Sequence, residues 1–204
     1  MFYAKRSQNT TPIDAYTPAV YGNATLLLLT LNQFIMNDII IAGEFAQTCW
    51  VVPDIHATIN AFAALGIVGF PKVETVRAQD LHMTYRGKVV DAEMLTTQTY
   101  SGTFIELVQP VSGQSMFHDF LTKHPEGGIQ HTAFRFPVHE FEKITSNMRD
   151  RGYELLSEVD HPIARMAFFD TYKTFGTVTE IMGITPEGWR AIEQMERKSK
   201  SLQE

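Results

Sequence analysis

Four polar side chains fall at matched places in two halves of this sequence. Gln47-Thr48-Cys49-Trp50-Val51-Val52-Pro53 is echoed by His131-Thr132-Ala133-Phe134-Arg135-Phe136-Pro137. Both runs read as a polar residue, Thr, a small residue, an aromatic, two more residues and Pro. Gly102-Thr103-Phe104-Ile105-Glu106-Leu107-Val108 is echoed by Gly176-Thr177-Val178-Thr179-Glu180-Ile181-Met182, with Gly-Thr, two residues, Glu and two apolar residues in common. The order is the same in both halves. His131 follows Gln47 by 84 residues, and Glu180 follows Glu106 by 74. The first half therefore holds roughly ten more residues between its signatures, as a longer hairpin would.

A carboxylate within a strand is costly on the inner face unless it is paired or metal-bound. Glu106 lies between Ile105 and Leu107, and Glu180 in the run Val178 to Met182. Alternation onto a solvent face accounts for one such residue taken singly. Two at equivalent places, joined by Gln47 and His131 at the starts of their halves, point to a shared site. A pseudo-twofold relation between the halves brings all four toward one axis. One imidazole, two carboxylates and an amide oxygen suit one divalent ion with open positions; zinc, cobalt, nickel, manganese and iron(II) all fit. Two carboxylates cancel the ion's charge and leave a Lewis acid able to stabilise an enolate beside a carbonyl. A carboxylate that swings off the ion is placed to abstract the proton. Cys49, two residues past Gln47, reads as a small buried residue rather than a nucleophile.

The elements that must position these groups repeat as well. Phe45 to Val52 is short, aromatic and β-branched, which predicts a strand. Pro53-Asp54 breaks it, and Ile55, Ile59, Phe62, Ala63 and Leu65 follow with helical spacing up to Gly66. In the second half Phe136-Pro137 is the breaker, and Phe141, Ile144 and Met148 repeat the helix up to Gly152. Three strand-like runs follow each helix. They lie near Val73 to Val76, His82 to Leu95 (with a hairpin around Gly87) and Thr103 to Val108, then Glu154 to Val159, Arg165 to Asp170 and Val178 to Met182. The expected fold class is α+β: two tandem βαβββ modules in a curved mixed sheet around a metal site. The divisions are an N-terminal extension with an apolar helix or strand over 1–43, a first module over 44–110, a linker helix over 111–129, a second module over 130–184, and a C-terminal helix and tail over 185–204. Thr185-Pro186-Glu187 is the start signal of that last helix.

Composition narrows the partners. A net charge of −6 and a pI near 5.6 supply no basic footprint for nucleic acid or an anionic membrane. The greasy run Ala24 to Ala42 is interrupted by Asn32, Gln33, Asn37 and Asp38, which argues against a span, and Met1 to Gly22 lacks the apolar core of a signal peptide. A single cysteine excludes an intrachain disulfide and favours a reducing, cytoplasmic setting. The apolar N-terminal segment makes a homodimer the expected assembly.

The sequence resembles the vicinal-oxygen-chelate superfamily (glyoxalase, bleomycin resistance, dioxygenase), and within it the glyoxalase I and methylmalonyl-CoA epimerase branch. The stretch Gln47 to Asp54 resembles that family's opening strand and its turn into the helix. Glu106 in Ile-Glu-Leu matches the first-module carboxylate of glyoxalase I. Pro110 to Phe134 is similar to the epimerase linker and second-module start, and Arg165 to Thr171 to a strand common in relatives. Glu180 matches the terminal carboxylate, which in that branch is a metal ligand and base. The resemblance spans roughly Phe45 to Ile184. Gln47 departs from the His of epimerases and many glyoxalases, although a Gln-Glu-His-Glu set occurs in some glyoxalase I enzymes.

The resemblance implies a metal-dependent isomerase, epimerase or lyase acting through an enolate on a small carbonyl or thioester substrate. Glu180 would be the base and Glu106 its partner in the opposite proton transfer. Trp50, Tyr100, Phe104, Phe134 and Phe168 are candidates for an apolar binding wall, and Arg165 for an anionic group. A non-catalytic binding protein of the same fold is the alternative. An iron(II) ring-cleaving dioxygenase ranks lower, because only His131 stands where two histidines are needed. His56, His118, His124 and His139 read as surface residues, whereas His82 and His161 lie beside strands where either can line a pocket.

Overall fold

The computed structural model describes residues 43–201. The apolar segment expected near the N-terminus falls outside them. In chain order the elements are β1 (Glu44–Val51), α1 (Ile55–Ala64), β2 (Glu74–Arg77), β3 (Thr84–Tyr85), β4 (Lys88–Val89), β5 (Ala92–Tyr100), β6 (Phe104–Gly113), α2 (Met116–Lys123), β7 (Gly128–Pro137), α3 (Phe141–Asp150), β8 (Leu155–His161), β9 (Ala164–Phe169), α4 (Tyr172–Phe175), β10 (Val178–Ile184) and α5 (Pro186–Ser201). The strands form one curled sheet in the order β2-β5-β6-β1-β7-β10-β9-β8-β3-β4, the α+β mixed sheet expected from the repeat. No helix among the described residues is long and apolar enough to cross a membrane.

Each half pairs its first strand parallel to its last, β1 with β6 and β7 with β10. The halves join where β1 and β7 run antiparallel. The repeat extends to the register: Cys49 pairs with Glu106, and its counterpart Ala133 pairs with Glu180. Laterally paired residues share a face, and residues two apart along a strand share it too. Gln47, Cys49, Glu106, His131 and Glu180 therefore all leave the inner face of the four central strands.

The run His82 to Leu95 is divided rather than continuous. β3 and β4 make a tight hairpin at Arg86 and Gly87, whose φ values of 50° and 73° are those of a two-residue turn matched to strand twist. This hairpin leaves its own half and pairs with β8 of the other, Thr84 opposite Glu158. The Arg86 N–H donates to the Leu156 carbonyl at 2.7 Å. The extra residues of the first half are thus a strap between halves, and the long strand that follows is β5. β6 in turn runs past Pro110 to Gly113. A bulge at Val111 absorbs the proline, and Gly113 (φ 84°) is required where a Cβ would meet the Asp91 carbonyl. The one-turn helix α4 has no apolar period to announce it in the sequence.

Helices cover both faces. Asp54 caps α1 by accepting from the Ala57 N–H at 2.9 Å. Ile55, Ile59 and Phe62 then pack on the outer face against Trp50, Ile105 and Leu107. α3 lays Phe141 and Ile144 on the outer face of the second half. Gly183 makes room for it, since a Cβ there would stand 2.8 Å from Phe141 Cβ. On the inner face α2, capped by Ser115, inserts Met116, Phe117 and Phe120 beside Cys49, Val51 and Val178. Its His118 is half-buried, not on the surface, with Nδ1 3.0 Å from Ser115 Oγ. α5 starts at the Thr185 cap, whose Oγ1 accepts from the Gly188 N–H, and reaches β5, where Gln98 Nε2 lies 3.8 Å from Met195 Sδ. With α2 and α5 both packed on the inner face, a cleft remains over the central strands.

Candidate metal centre

The four donor residues named from the repeat converge at the floor of this cleft. Gln47 Nε2 donates to Glu106 Oε2 at 2.8 Å and stands 3.4 Å from His131 Nε2. His131 Nε2 is 3.5 Å from Glu106 Oε2 and 3.2 Å from Glu180 Oε2. Cys49 lies between Glu106 and His131 in the sheet. Its sulfur and one ligand atom of each neighbour lie within 4.8 Å of one another.

Two bulges in the β1–β7 ladder set these directions, with Ala46 the extra residue on β1 and Gln130 the extra residue on β7. A bulge re-aims the side chains beside it, and here each one neighbours a donor, Gln47 or His131. The second explains how adjacent residues can face each other: His131 Nδ1 is 2.6 Å from Gln130 Oε1. An amide oxygen only accepts, so Nδ1 donates to it, and Nε2 is the ring nitrogen that faces the carboxylates. Nothing in the linear pattern singled out Gln130.

Burial raises the proton affinity of Glu180, with His131 opposing it. Burial alone would strip the proton from His131. The groups crowded around that ring (Cys49, Glu106 and Glu180) outweigh it and hold the pKa well above the ordinary imidazole value. Burial pushes the Cys49 thiol strongly up. Glu180 is 2% exposed. Its Oε2 is close to His131 Nε2 yet makes no hydrogen bond, an expensive state for a buried carboxylate oxygen. Two carboxylates, an imidazole with its outer nitrogen anchored, and an amide that presents Oε1 after half a turn form a donor set that fits a divalent cation.

The cleft above measures about 610 Å³, within the ordinary range for small-molecule sites. Its walls are largely apolar and include Met83, Met94, Met166, Met182 and Met195. Of the residues named for substrate contact, Tyr100, Phe104 and Phe168 line it, and Phe168 meets His131 edge-on at 5.2 Å. Trp50, Phe134 and Arg165 sit elsewhere. Trp50 packs on Phe62 beneath α1 and Phe134 on Phe45. Arg165 pairs with Glu142 and lies over the Phe141 ring. Strand alternation decides this, because each is an odd number of residues from an inward neighbour. His161 lines the cleft, whereas His82 is exposed in a left-handed turn. Lys72, Arg135 and Lys198 also line it, drawn from three distant parts of the chain. Arg135 is four residues beyond His131 on the same strand. It bonds Glu44 and Glu196 and lies under Trp189, which ties α5 to the central strands.

The sequence profile of the Glyoxalase/Bleomycin resistance protein/Dioxygenase superfamily matches residues 46–168. The chain belongs to this superfamily. No curated protein sequence matches it. Similar solved structures include methylmalonyl-CoA epimerase from Mycobacterium tuberculosis, with 20% identity over 71% of this chain and 89% of that one and a TM-score of 0.46. A hypothetical protein from Bacillus halodurans aligns at 17% identity over 70% and 94%, with a TM-score of 0.49. A variant of Streptomyces coelicolor methylmalonyl-CoA epimerase in complex with 2-nitronate-propionyl-CoA aligns at 19% identity over 70% and 97%, with a TM-score of 0.46. Within the superfamily match, residues 46–168 hold Gln47, Glu106 and His131, while Glu180 lies beyond it on the repeat-related strand.

Proposed function

We propose that the protein is a metal-dependent isomerase, epimerase or lyase that moves a proton at a carbon next to a carbonyl. The observation that carries this is the convergence of Gln47, Glu106, His131 and Glu180 under an apolar cleft, with one buried oxygen of Glu180 unpartnered and facing the others. A divalent ion held by these groups supplies a Lewis acid for a carbonyl oxygen and for the charge that develops on it. Glu180 is the base. Its proton affinity is raised by burial, which brings a carboxylate toward the range where general-base catalysis works near neutrality. Glu106 is less buried and stands on the other side of His131 as the acid that returns a proton. Gln130 holds the imidazole, and the methionines make the walls largely apolar. The apolar lining with Lys72 and Lys198 suits a small carbonyl or thioester compound with an apolar body and an anionic group.

The test has two parts. Metal content of protein purified without a chelating column is compared with that of His131→Ala; about one ion per chain, lost in the variant, is expected from the ligand set. The loaded protein is then incubated in D₂O with a panel of acyl thioesters and thiol hemiacetals, and deuterium uptake next to the carbonyl is followed by NMR. Uptake that falls in Glu180→Gln supports the proposal. A loaded protein that exchanges no compound in the panel, yet binds them equally with and without metal, sinks it in favour of a binding protein.

A further inference from the structure

The four donors do not exhaust the chemistry at the floor of the cleft. Cys49 pairs in register with Glu106 on one side and with His131 on the other, so its thiol leaves the same face between them. It is fully buried. Its counterpart in the second half is Ala133, which pairs with Glu180 as Cys49 pairs with Glu106. The repeat itself therefore does not call for sulfur at this place. Independently, Glu180 Oε2 is buried without a hydrogen bond and faces His131 Nε2 at 3.2 Å, a place where a bound cation would partner it.

We propose that Cys49 is a further protein ligand of the centre, its thiolate joining His131 and the two carboxylates and biasing the site toward zinc, cobalt or iron(II) over manganese and magnesium. The inference rests on the metal-centre reading above. Bonds of about 2.3 Å to sulfur and about 2.0 Å to nitrogen place two donors of a tetrahedral ion roughly 3.5 Å apart. The span of at most 4.8 Å among the Cys49, Glu106 and His131 donors needs about an ångström of closure to reach that. A sulfur ligand must be a thiolate, so ligation by Cys49 releases the thiol proton and, with the two carboxylates, leaves a centre of formal charge −1. Soft thiolate then selects among ions that a Gln-Glu-His-Glu set alone would hardly discriminate.

The test is a cobalt(II) titration of the metal-free full chain beside Cys49→Ala. Cys49 is the only cysteine of the sequence, so thiolate-to-cobalt charge transfer in the near ultraviolet has one possible source. The expected result is a stoichiometric near-ultraviolet band in the wild type. The variant keeps the visible ligand-field bands, loses the ultraviolet one, and binds cobalt at least about tenfold more weakly, the low end of the cost of disturbing a metal site's surroundings. Visible bands without the ultraviolet band in the wild type would overturn the thiolate ligand and leave the metal centre standing. A wild type that takes up no cobalt would overturn both.

Discussion

Gln130 offers a sharp test of how the centre is organised. Its side chain is 2% exposed, and its Oε1 is 2.6 Å from His131 Nδ1. Gln130→Leu preserves the volume and removes the acceptor. Two costs follow. The Nδ1–H is left buried without a partner, which costs about 1–3 kcal/mol of stability. For a chain of this size that is a drop of roughly 2–12 °C in Tm. The imidazole also loses the group that fixes its tautomer and orientation. Outer partners of metal-bound histidines are worth about 10–100-fold in affinity, or about 1.4–2.8 kcal/mol. Competition titration with a chromophoric zinc chelator measures the second, and thermal unfolding of metal-free protein the first. Gln130→Glu keeps an acceptor and should stay within a few-fold of wild-type affinity. A folded Gln130→Leu protein that binds zinc as tightly as wild type would refute the view that this hydrogen bond prepares the histidine.

Three further outcomes are expected. Glu180→Gln should keep the fold and lose turnover by about 10²–10⁴-fold, the range of a general base; near-normal rates of proton exchange would remove Glu180 from the mechanism. Gly183→Ala should destabilise by about 1–3 kcal/mol in urea unfolding, because the new methyl meets Phe141 close to its backbone; a loss under about 0.5 kcal/mol would show that α3 shifts freely. Burial and the hydrogen bond to Asp119 push Tyr85 up to about 12, from an ordinary value near 10. The folded protein then holds this proton more tightly than the unfolded chain, so its contribution is complete below pH about 10 and is lost as pH rises through about 12. In ultraviolet titration the latest-ionising phenol of the wild type should be missing in Tyr85→Phe, while Tyr172, which burial also raises, still ionises above the ordinary range; an unchanged latest phase would assign it elsewhere.

Much of the site was legible because it is repeated. The two signatures placed Gln47 with His131 and Glu106 with Glu180 before any geometry was known, and strand alternation carries their side chains to one face. The cap at Thr185 was also readable, since it acts on an N–H group within three residues; Asp54, read only as a strand breaker, proved to cap α1. Alternation would equally have sent Trp50 and Phe134 outward and Arg135 inward, had it been applied outward from the donors. Other features hold no local signal. The partner of β3 is β8, some seventy residues away, and no property of residues 84–89 names it. The Gln130 bulge arises from a mismatch between two strands and belongs to neither alone. Lys72, Arg135 and Lys198 reach one cleft only once the sheet curls and α5 packs against it. Residue types, period and repetition are properties of the chain, and they carried the paired strands and the candidate donor residues. Which atoms stand within bonding distance, what Gln130 does, and that Cys49 lies between a carboxylate and an imidazole depend on register and closure, which long-range pairing alone decides.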